Sequence, residues 1–333
     1  MSYRGDLAVL YEHPEWQKPL FRALERRGMR YAAVDLKQAA FSDADEAIAP
    51  LYFNQASPSA YVRGNTRAVP YALAYMRGLQ IRGIRVLNGA DAFALELSKT
   101  AQAALLRKLG VPAPRTWTFN DLEALRVRAH EIPFPVLLKP EQGGSGARIV
   151  LLESFAHLEA LLAQRPDHWL PENLLVLQEY LDTDPARGIV RMEFLGGELL
   201  YAMRVISHGR FNLCPAPVCN PEEAPAICEA PVRAVAAPAA EFYPYHEVPA
   251  QAVAWGKRIV AAGKLDVAGI EYLETRDGRL LFYDINANSN LRPSVARAFG
   301  FDPFERVVDF LAGEVRAYEG FLRFAGLRGR VEV

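Results

Sequence analysis

Two acidic residues and an asparagine near the end of the chain have the types and spacing of a magnesium site. Asp277-Gly278 separates two apolar, aromatic-rich runs, which predicts a hairpin with a two-residue turn and positive φ at both turn residues. This turn would place Glu271 opposite Asp284, with Asn286 on the same face. Facing carboxylates repel each other, and oxygen ligands without His or Cys suit a hard cation such as Mg²⁺. A solvent-facing hairpin whose acids do not meet is the alternative.

A lysine and a glycine-rich loop in the middle of the chain predict phosphate binding. Lys139 ends the otherwise apolar run Val136–Lys139, where a buried ammonium group needs an anion. The loop from Gly143 to Gly146 follows, and glycines let backbone N–H groups approach phosphate oxygens without interference from a Cβ atom. Because the loop leads into a strand, it is not a P-loop of the kind that enters a helix. A glycine-rich hairpin tip without a ligand is the alternative, although Lys139 favours phosphate.

The end of the next apolar run is a candidate for adenine binding. Gln178 to Leu181 closes this run, and Asp184 follows shortly after. Backbone amides and carbonyls at such an edge can pair with adenine, and an acid just beyond them can bind ribose hydroxyl groups. Most strands end in polar residues, so an ordinary strand end is the alternative.

Strands alternate with helices over the first ninety or so residues, which predicts a largely parallel sheet. The predicted strands are 7–11, 31–35, 47–53 and 85–88, and the predicted helices are 18–27 and 70–82. No GxGxxG motif follows the first strand, so no dinucleotide site is predicted there. The polar stretch from Asn54 to Tyr61 includes Ser57 and follows a strand, where ligands of open α/β sheets tend to bind. An ordinary turn is the alternative.

The rest of the chain predicts two further units that mix helices and strands. The second contains a helix over 92–109, strands over 136–139 and 174–180, and a helix over 155–163. The third contains a strand pair over 190–194 and 198–205, a helix over 250–262, the hairpin and a closing helix over 302–312. Residues 214–245 are rich in Pro and Ala without periodicity, which predicts an irregular insertion or a mobile loop.

Composition limits the classes of protein that fit. A chain of 333 residues with 51% hydrophobic and 23% charged residues is typical of a globular protein with two or three domains. A net charge of −1 argues against a nucleic-acid surface, and no apolar run is long enough to span a bilayer. The spacing of Cys214, Cys219 and Cys228 does not match a zinc site, so we expect free thiols in the cytoplasm.

Five segments resemble those of a known superfamily and follow its order: KTAQAALLRKLGVPAPRT, PVLLKPEQGGSG, LQEYLD, VRMEFLGGELLYAMR, and GIEYLE with LLFYDINANSN. Together they resemble the ATP-grasp superfamily, most of all its branch of ribosomal-protein glutamate ligase and glutathione synthetases. The resemblance covers residues 92–312. It implies an α/β protein in which two α+β subdomains, 92–181 and 182–320, clamp ATP behind a parallel-sheet N-domain, 1–91.

The resemblance also implies roles for individual residues. Those implied to bind ATP are Lys99, Lys139, Gly143, Gly144, Ser145, Gly146, Gln178, Glu179, Leu181 and Asn212. Tyr180 in the same segment and Asp184 just beyond it are added as ATP-binding candidates. Those implied to bind the metal are Glu271, Asp284 and Asn286, in agreement with the hairpin geometry. Those implied to face the reacting phosphoryl group and the acyl centre are Arg191 and Arg204.

The loop after the metal-binding asparagine departs from the superfamily. Relatives commonly have a Ser-Pro-Gly type turn there, whereas this chain has Asn288, Ser289, Asn290 and Arg292. Because that loop usually lies against the substrate, the acceptor specificity of known ligases is not transferred to this chain. We expect these four residues, together with Asn54 and Ser57, to contact the substrate.

From the resemblance we predict an ATP-dependent ligase that joins a carboxylate to an amine through an acyl phosphate and releases ADP and phosphate. Its substrates are expected to be an amino acid or a small peptide, and its cofactors ATP and two Mg²⁺ ions, with Mn²⁺ as a substitute. No nucleic-acid or membrane partner is expected, and a homodimer stays open. The alternatives are an ATP-grasp kinase that acts on a hydroxyl group and a nucleotide-binding protein without catalysis.

Overall fold

Three separate sheets organise the chain. The computed structural model describes residues 3–143, 146, 148–170, 172–207, 240–289 and 291–324. Over these residues the first sheet is parallel and the other two are antiparallel, with helices packed against them. The prediction of a mixed α/β fold with a parallel N-terminal sheet is therefore confirmed. Within the described part of the chain, no helix is both long and apolar enough to cross a membrane.

The N-terminal sheet has four parallel strands in the order β2-β1-β3-β4. Its elements are β1 (Leu7–Tyr11), α1 (Pro14–Arg26), β2 (Tyr31–Asp35), β3 (Leu51–Gln55), α2 (Ala68–Ile81) and β4 (Arg85–Leu87). The apolar runs of β1 and β3 are fully buried and form the centre of this sheet. A 3-10 helix, Pro58–Arg63, follows β3 at its carboxyl end.

The second sheet has four antiparallel strands in the order β5-β8-β6-β7. Its elements are β5 (Thr116–Phe119), α5 (Leu122–Arg128), β6 (Val136–Lys139), β7 (Val150–Leu152), α6 (Phe155–Gln164) and β8 (Leu175–Glu179). The glycine loop connects β6 to its neighbour β7, as predicted. Strand β5 was not predicted, because four residues between the proline-rich segment and α5 are too few to show an alternating pattern.

The third sheet has five antiparallel strands in the order β11-β10-β9-β12-β13. Its elements are β9 (Ile189–Leu195), β10 (Glu198–Ile206), β11 (Glu241–Pro244), α7 (Ala250–Ala262), β12 (Val267–Glu274), β13 (Leu280–Asn286), α8 (Pro293–Ala296) and α9 (Pro303–Phe324). The insertion predicted as irregular over 214–245 therefore ends in an edge strand, while residues 208–239 lie outside the described part. The closing helix also continues well beyond residue 312.

The long helix predicted over 92–109 is two helices. These are α3 (Ala90–Leu97) and α4 (Lys99–Lys108), and Ser98 between them has an extended backbone with φ −123° and ψ 107°. The Ser98 hydroxyl accepts a hydrogen bond from Ala101 N–H at 2.9 Å, which caps α4. Lys99 therefore stands at the first position of a new helix. Side chains of α3 and α4 pack against the third sheet, although both helices precede the second sheet in sequence.

The β12–β13 hairpin places Glu271 opposite Asp284, as predicted, but its turn differs from the predicted one. Thr275 N–H donates to the Arg279 carbonyl at 2.9 Å, and of the turn residues only Gly278 has a positive φ, 84°. The two-residue turn is therefore wrong, and the strands start one residue out of the predicted register. An irregularity between Tyr272 and Glu271 adds one residue to β13 and restores the pairing of Glu271 with Asp284.

Candidate functional site

A cavity of about 320 Å³ collects side chains from all three parts of the chain. Its walls include the end of β8, the facing strands β9, β12 and β13, and the loop after β3. The predicted site residues that line it are Ser57, Lys99, Lys139, Gly143, Gly146, Gln178, Glu179, Tyr180, Leu181, Asp184, Arg191, Glu271, Asp284, Asn286, Asn288 and Arg292. The predicted residues Gly144, Ser145, Asn212 and Asn290, and the three cysteines, lie outside the described residues.

Arg204 does not reach this cavity, which corrects its predicted role at the acyl centre. On β9, Arg191 pairs with Met203 of β10, whereas Arg204 pairs with Val190. Neighbouring residues of a strand point to opposite faces, so Arg204 faces away from Arg191. There its guanidinium contacts Glu274 Oε2 at 3.0 Å and lies over the Tyr245 ring at 4.3 Å.

Two other predicted substrate residues support the fold instead of lining the cavity. The Asn54 amide donates to the Asn88 carbonyl at 3.2 Å and accepts from Ala56 N–H at 2.9 Å, which closes the end of β3. Ser289 is buried, and its hydroxyl bridges Glu193 and Arg191. Both side chains have their hydrogen-bonding groups engaged within the protein.

Of the two facing carboxylates, Glu271 is buried and Asp284 is half-buried, and they belong to different hydrogen-bond networks. Glu271 accepts from Arg191 Nη1 at 2.8 Å and from the Tyr283 hydroxyl at 2.7 Å, while Asp284 is paired with the Lys99 ammonium group. Burial raises the pKa of Glu271, and the nearby Asp284 carboxylate raises it further. Burial acts in the same direction on the pKa of Asp284, but the Lys99 charge lowers it overall. The two carboxylates therefore repel each other, and a cation bound between them would relieve this repulsion.

The guanidinium of Arg191 is held in place by three contacts in the same wall of the cavity. Besides Glu271, its guanidinium donates to Glu193 at 2.7 Å and to Ser289 at 3.1 Å. Burial alone would lower the pKa of Arg191, but the two carboxylates raise it. Three directed contacts hold the planar group in one orientation.

Lys139 is a buried cation that has no carboxylate partner among the described residues. Its ammonium group donates to Gln178 Oε1 at 2.6 Å and lies 5.1 Å from the centre of the Tyr283 ring. Burial lowers the pKa of Lys139 from 10.5 to about 8, and the charge of Lys99 contributes. An anion in the cavity would therefore find a desolvated lysine on its wall.

The opposite end of the cavity is formed by the N-terminal sheet and the loop after β13. The Asn288 amide donates to the carbonyls of Gln55 and Ala56 at 3.0 and 3.1 Å, which ties this loop to the end of β3. Arg292 stacks on the Phe242 ring at 4.0 Å. No carboxylate among the described residues lies within ion-pair distance of its guanidinium.

Comparisons with known proteins agree on the fold. No family model matches the chain. An ATP-grasp RimK-domain protein from Sphaerobacter thermophilus is similar over 91% of this chain and 98% of its own, with 19% identity and a TM-score of 0.66. D-Alanine–D-alanine ligase from Bacillus anthracis, solved with ATP, is similar over 96% and 99%, with 13% identity and a TM-score of 0.65. This chain has the ATP-grasp fold.

A further structure with this fold was solved with a precursor bound. The ligase PsnB, complexed with a minimal precursor, is similar over 93% of this chain and 99% of its own, with 19% identity and a TM-score of 0.62. The same ligase has been solved with a precursor, Mg and ADP. At such identities the likeness concerns the architecture, and the residues of this chain have to carry the argument about chemistry.

The oxygen donors of this cavity fit a magnesium ion that also binds phosphate. Among the described residues, no three His, Cys, Asp or Glu side chains cluster closely enough to hold a metal alone. Glu271, Asp284 and Asn286 supply two carboxylates and one amide on one wall. Mg²⁺ usually binds through one or two carboxylates plus substrate phosphates, so this set suits it, whereas it would not suit zinc.

Among the charged residues that line the described cavity, one was missed by sequence analysis. Apart from Asp91 in the first turn, Glu96 is the only charged residue of the apolar helix α3, and a glutamate in such a run is the signal that could have revealed it. It is 2% exposed, and it lines the cavity beside Asn288. Burial raises the pKa of Glu96 to about 8.

Proposed function

We propose that this ATP-grasp protein is an ATP- and Mg²⁺-dependent ligase that joins a carboxylate to an amine through an acyl phosphate. The observation that carries the proposal is the charge arrangement of one cavity. Lys99, Lys139 and Arg191 bring three cations to the same space as the facing carboxylates Glu271 and Asp284. This arrangement suits a triphosphate with a divalent cation, and solved structures with the same fold include ligases.

The proposed reaction has two steps. The substrate carboxylate attacks the γ-phosphoryl group of ATP, and ADP leaves. The amine then attacks the carbonyl carbon of the acyl phosphate, and phosphate leaves as the amide bond forms. Both steps develop negative charge on oxygens, which favours fixed cations in a closed cavity.

Individual residues would divide this work. Lys99 and Lys139 would bind the phosphates, while the end of β8 from Gln178 to Leu181 would contact the adenine. Glu271, Asp284 and Asn286 would hold Mg²⁺, which would supply positive charge against the phosphate oxygens. Arg191, fixed by its three contacts, would face the transferred phosphoryl group. The glycine loop that begins at Gly143 would cover the phosphates.

Replacing Gly269 with alanine tests whether the orientation of Arg191 matters. A Cβ at Gly269 would lie 2.1 Å from Nη2 and 2.5 Å from Cζ of Arg191, so the guanidinium must move. A displacement of about 1 Å in a positioning group can cost about 10²-fold in rate. We expect kcat for ATP-dependent phosphate release to fall by that order, with KM for ATP nearly unchanged.

Gly313→Ala is the control, because a Cβ there would meet nothing closer than 4.0 Å. It lies in α9, where alanine is a better helix former. Wild-type kcat in the Gly269 variant would show that the position of the Arg191 guanidinium has no catalytic importance.

Arg292 is the proposed anchor for a substrate carboxylate. It lines the cavity without an ion-pair partner among the described residues, and a guanidinium can bind a carboxylate with two parallel hydrogen bonds. Because lysine cannot reproduce that geometry, Arg292→Lys should raise KM for one carboxylate-bearing substrate about tenfold or more and leave KM for ATP unchanged. Arg204→Lys, on the opposite face of the sheet, is the matched control. Unchanged KM values for every substrate of the Arg292 variant would remove this residue from the pocket.

The function as a whole is tested with a panel of amino acids and small peptides, ATP and Mg²⁺. Released phosphate and product mass are measured with and without hydroxylamine, which traps an acyl phosphate as a hydroxamate. A ligase gives free phosphate and a hydroxamate that depends on one acid of the panel. A phosphorylated alcohol without free phosphate would favour the kinase instead.

A further inference from the structure

Glu96 carries an unsatisfied carboxylate oxygen in the cavity wall. Its Oε1 accepts a hydrogen bond from Asn288 N–H at 3.1 Å. Its Oε2 is buried and has no hydrogen-bond partner among the described residues. An unpaired buried carboxylate oxygen costs free energy, so its retention in a cavity wall indicates a group that a ligand completes.

The cations around Glu96 are already engaged elsewhere. Lys99, three residues further along the chain, pairs with Asp284, and Arg191 pairs with Glu193 and Glu271. Neither has an ion pair with Glu96 in the structure. The raised pKa of this carboxyl group reflects the same deficit, since burial outweighs the attraction of both cations.

Glu96 also lies at the end of the cavity that faces the N-terminal sheet. Its partner Asn288 is tied to the backbone of Gln55 and Ala56, and Arg292 lies four residues further along the same loop. This end therefore offers one carboxylate oxygen and one guanidinium, each without a charged partner among the described residues. A molecule with an amino group and a carboxylate complements both.

We propose that Glu96 binds the amino group of the acceptor and accepts a proton from it, so that the acceptor is an amino acid or a peptide with a free amino terminus. This inference rests on the proposed ligase function and extends it to the identity of the nucleophile. Arg292 would bind the acceptor carboxylate.

In the second step, both protons lost by the acceptor then have a destination without another reactant. The acceptor ammonium group gives one proton to the Glu96 carboxylate and becomes a neutral amine. The amine forms the C–N bond to the acyl carbon while the C–O bond to phosphate breaks. The second proton leaves with the departing phosphate as hydrogen phosphate, which gives the amide and a protonated Glu96.

Glu96→Gln separates this role from folding. The glutamine carbonyl can still accept from Asn288 N–H, but an amide cannot take the proton of the acceptor. Wild type and variant are each given ATP, Mg²⁺ and the common amino acids and their dipeptides as acids. In one assay the same amino acids and dipeptides also serve as acceptors, and in the other assay hydroxylamine is the acceptor. Hydroxylamine is already a neutral nucleophile at neutral pH, so hydroxamate formation reports the first step without needing a base. Glu274→Gln, on the opposite face of the sheet, is the matched control.

We expect hydroxamate formation to be unchanged in Glu96→Gln, while amide formation falls by about 10²- to 10⁴-fold, the usual contribution of a general base. Glu274→Gln should match wild type in both assays. The inference is overturned if the variant forms amide at the wild-type rate, or if both products fall by the same factor. It is also overturned if wild type forms a hydroxamate but accepts no amine of the panel. Absence of any hydroxamate from wild type would instead contradict the proposed function itself.

Discussion

Asp284→Asn is expected to lower ATP turnover by about 10³-fold or more while the protein stays folded. Loss of one charged ligand of the proposed metal site would weaken Mg²⁺ binding and raise the barrier to phosphoryl transfer by several kcal/mol, and about 1.4 kcal/mol corresponds to a factor of ten. The fold should tolerate the change. Without the Asp284 charge, the repulsion on Glu271 disappears, which offsets the lost ion pair with Lys99.

The measurement is phosphate release over a Mg²⁺ titration, together with thermal unfolding of each protein. Asp277→Asn makes the same change in the turn of the same hairpin, where the side chain is largely exposed, and should behave as wild type. Wild-type turnover by the Asp284 variant at saturating Mg²⁺ would remove this residue from the metal site.

Lys139→Met is expected to weaken ATP binding and to stabilise the nucleotide-free protein. Loss of one partner of a buried charge pair typically costs about 2–5 kcal/mol, which is more than tenfold in Kd. Without nucleotide, the ammonium group is buried and, among the described residues, has Gln178 as its hydrogen-bond partner and no carboxylate, so its removal relieves a desolvation cost of order 3 kcal/mol. Loss of the hydrogen bond to Gln178 offsets part of this gain.

The pH dependence of that gain follows from the lowered pKa of Lys139. Below about pH 8 the lysine is charged in both the folded and unfolded chains, and the full cost is present. Above that value the folded form loses its proton first, so wild type gains stability as the pH approaches 10.5. The excess stability of the Met variant should therefore be largest below pH 8 and disappear near pH 10.5.

Nucleotide affinity by calorimetry and unfolding free energies over this pH range test both parts. Leu138→Met on the same strand controls for the volume change, since such swaps usually cost less than about 1.5 kcal/mol. Unchanged ATP affinity in the Lys139 variant would make this lysine a structural residue.

The pairing of the two acids was predicted correctly, whereas the turn that joins their strands was not. The sequence indicated that Glu271 and Asp284 oppose each other, and they do, although the turn is one residue longer and a bulge restores the register. A bulge has no signature in the alternation of apolar and polar residues, because its extra residue, Tyr283, is itself aromatic. The opposition was derived from a two-residue turn, so the pairing is right although the turn is wrong, because the longer turn and the bulge cancel each other.

The position of a residue in a sequence motif did not predict which face of the sheet its side chain occupies. Arg191 and Arg204 both lie on strands and both match positions of the family pattern. The pairing of β9 with β10 nevertheless places them on opposite faces, and a register cannot be derived from one strand alone. The break at Ser98 was missed for a related reason, since serine is compatible with a helix interior until a capping contact shows that a new helix begins.

The most direct test of the central claim follows an oxygen atom from the acid to the phosphate. The acid that supports hydroxamate formation is labelled with a heavy oxygen isotope in its carboxylate and incubated with ATP, Mg²⁺ and an amino-acid acceptor. If the carboxylate attacks the γ-phosphoryl group, the released phosphate carries one labelled oxygen and the amide product has lost one. Unlabelled phosphate, with both labelled oxygens still in the acid, would contradict an acyl phosphate intermediate and with it the proposed ligase chemistry.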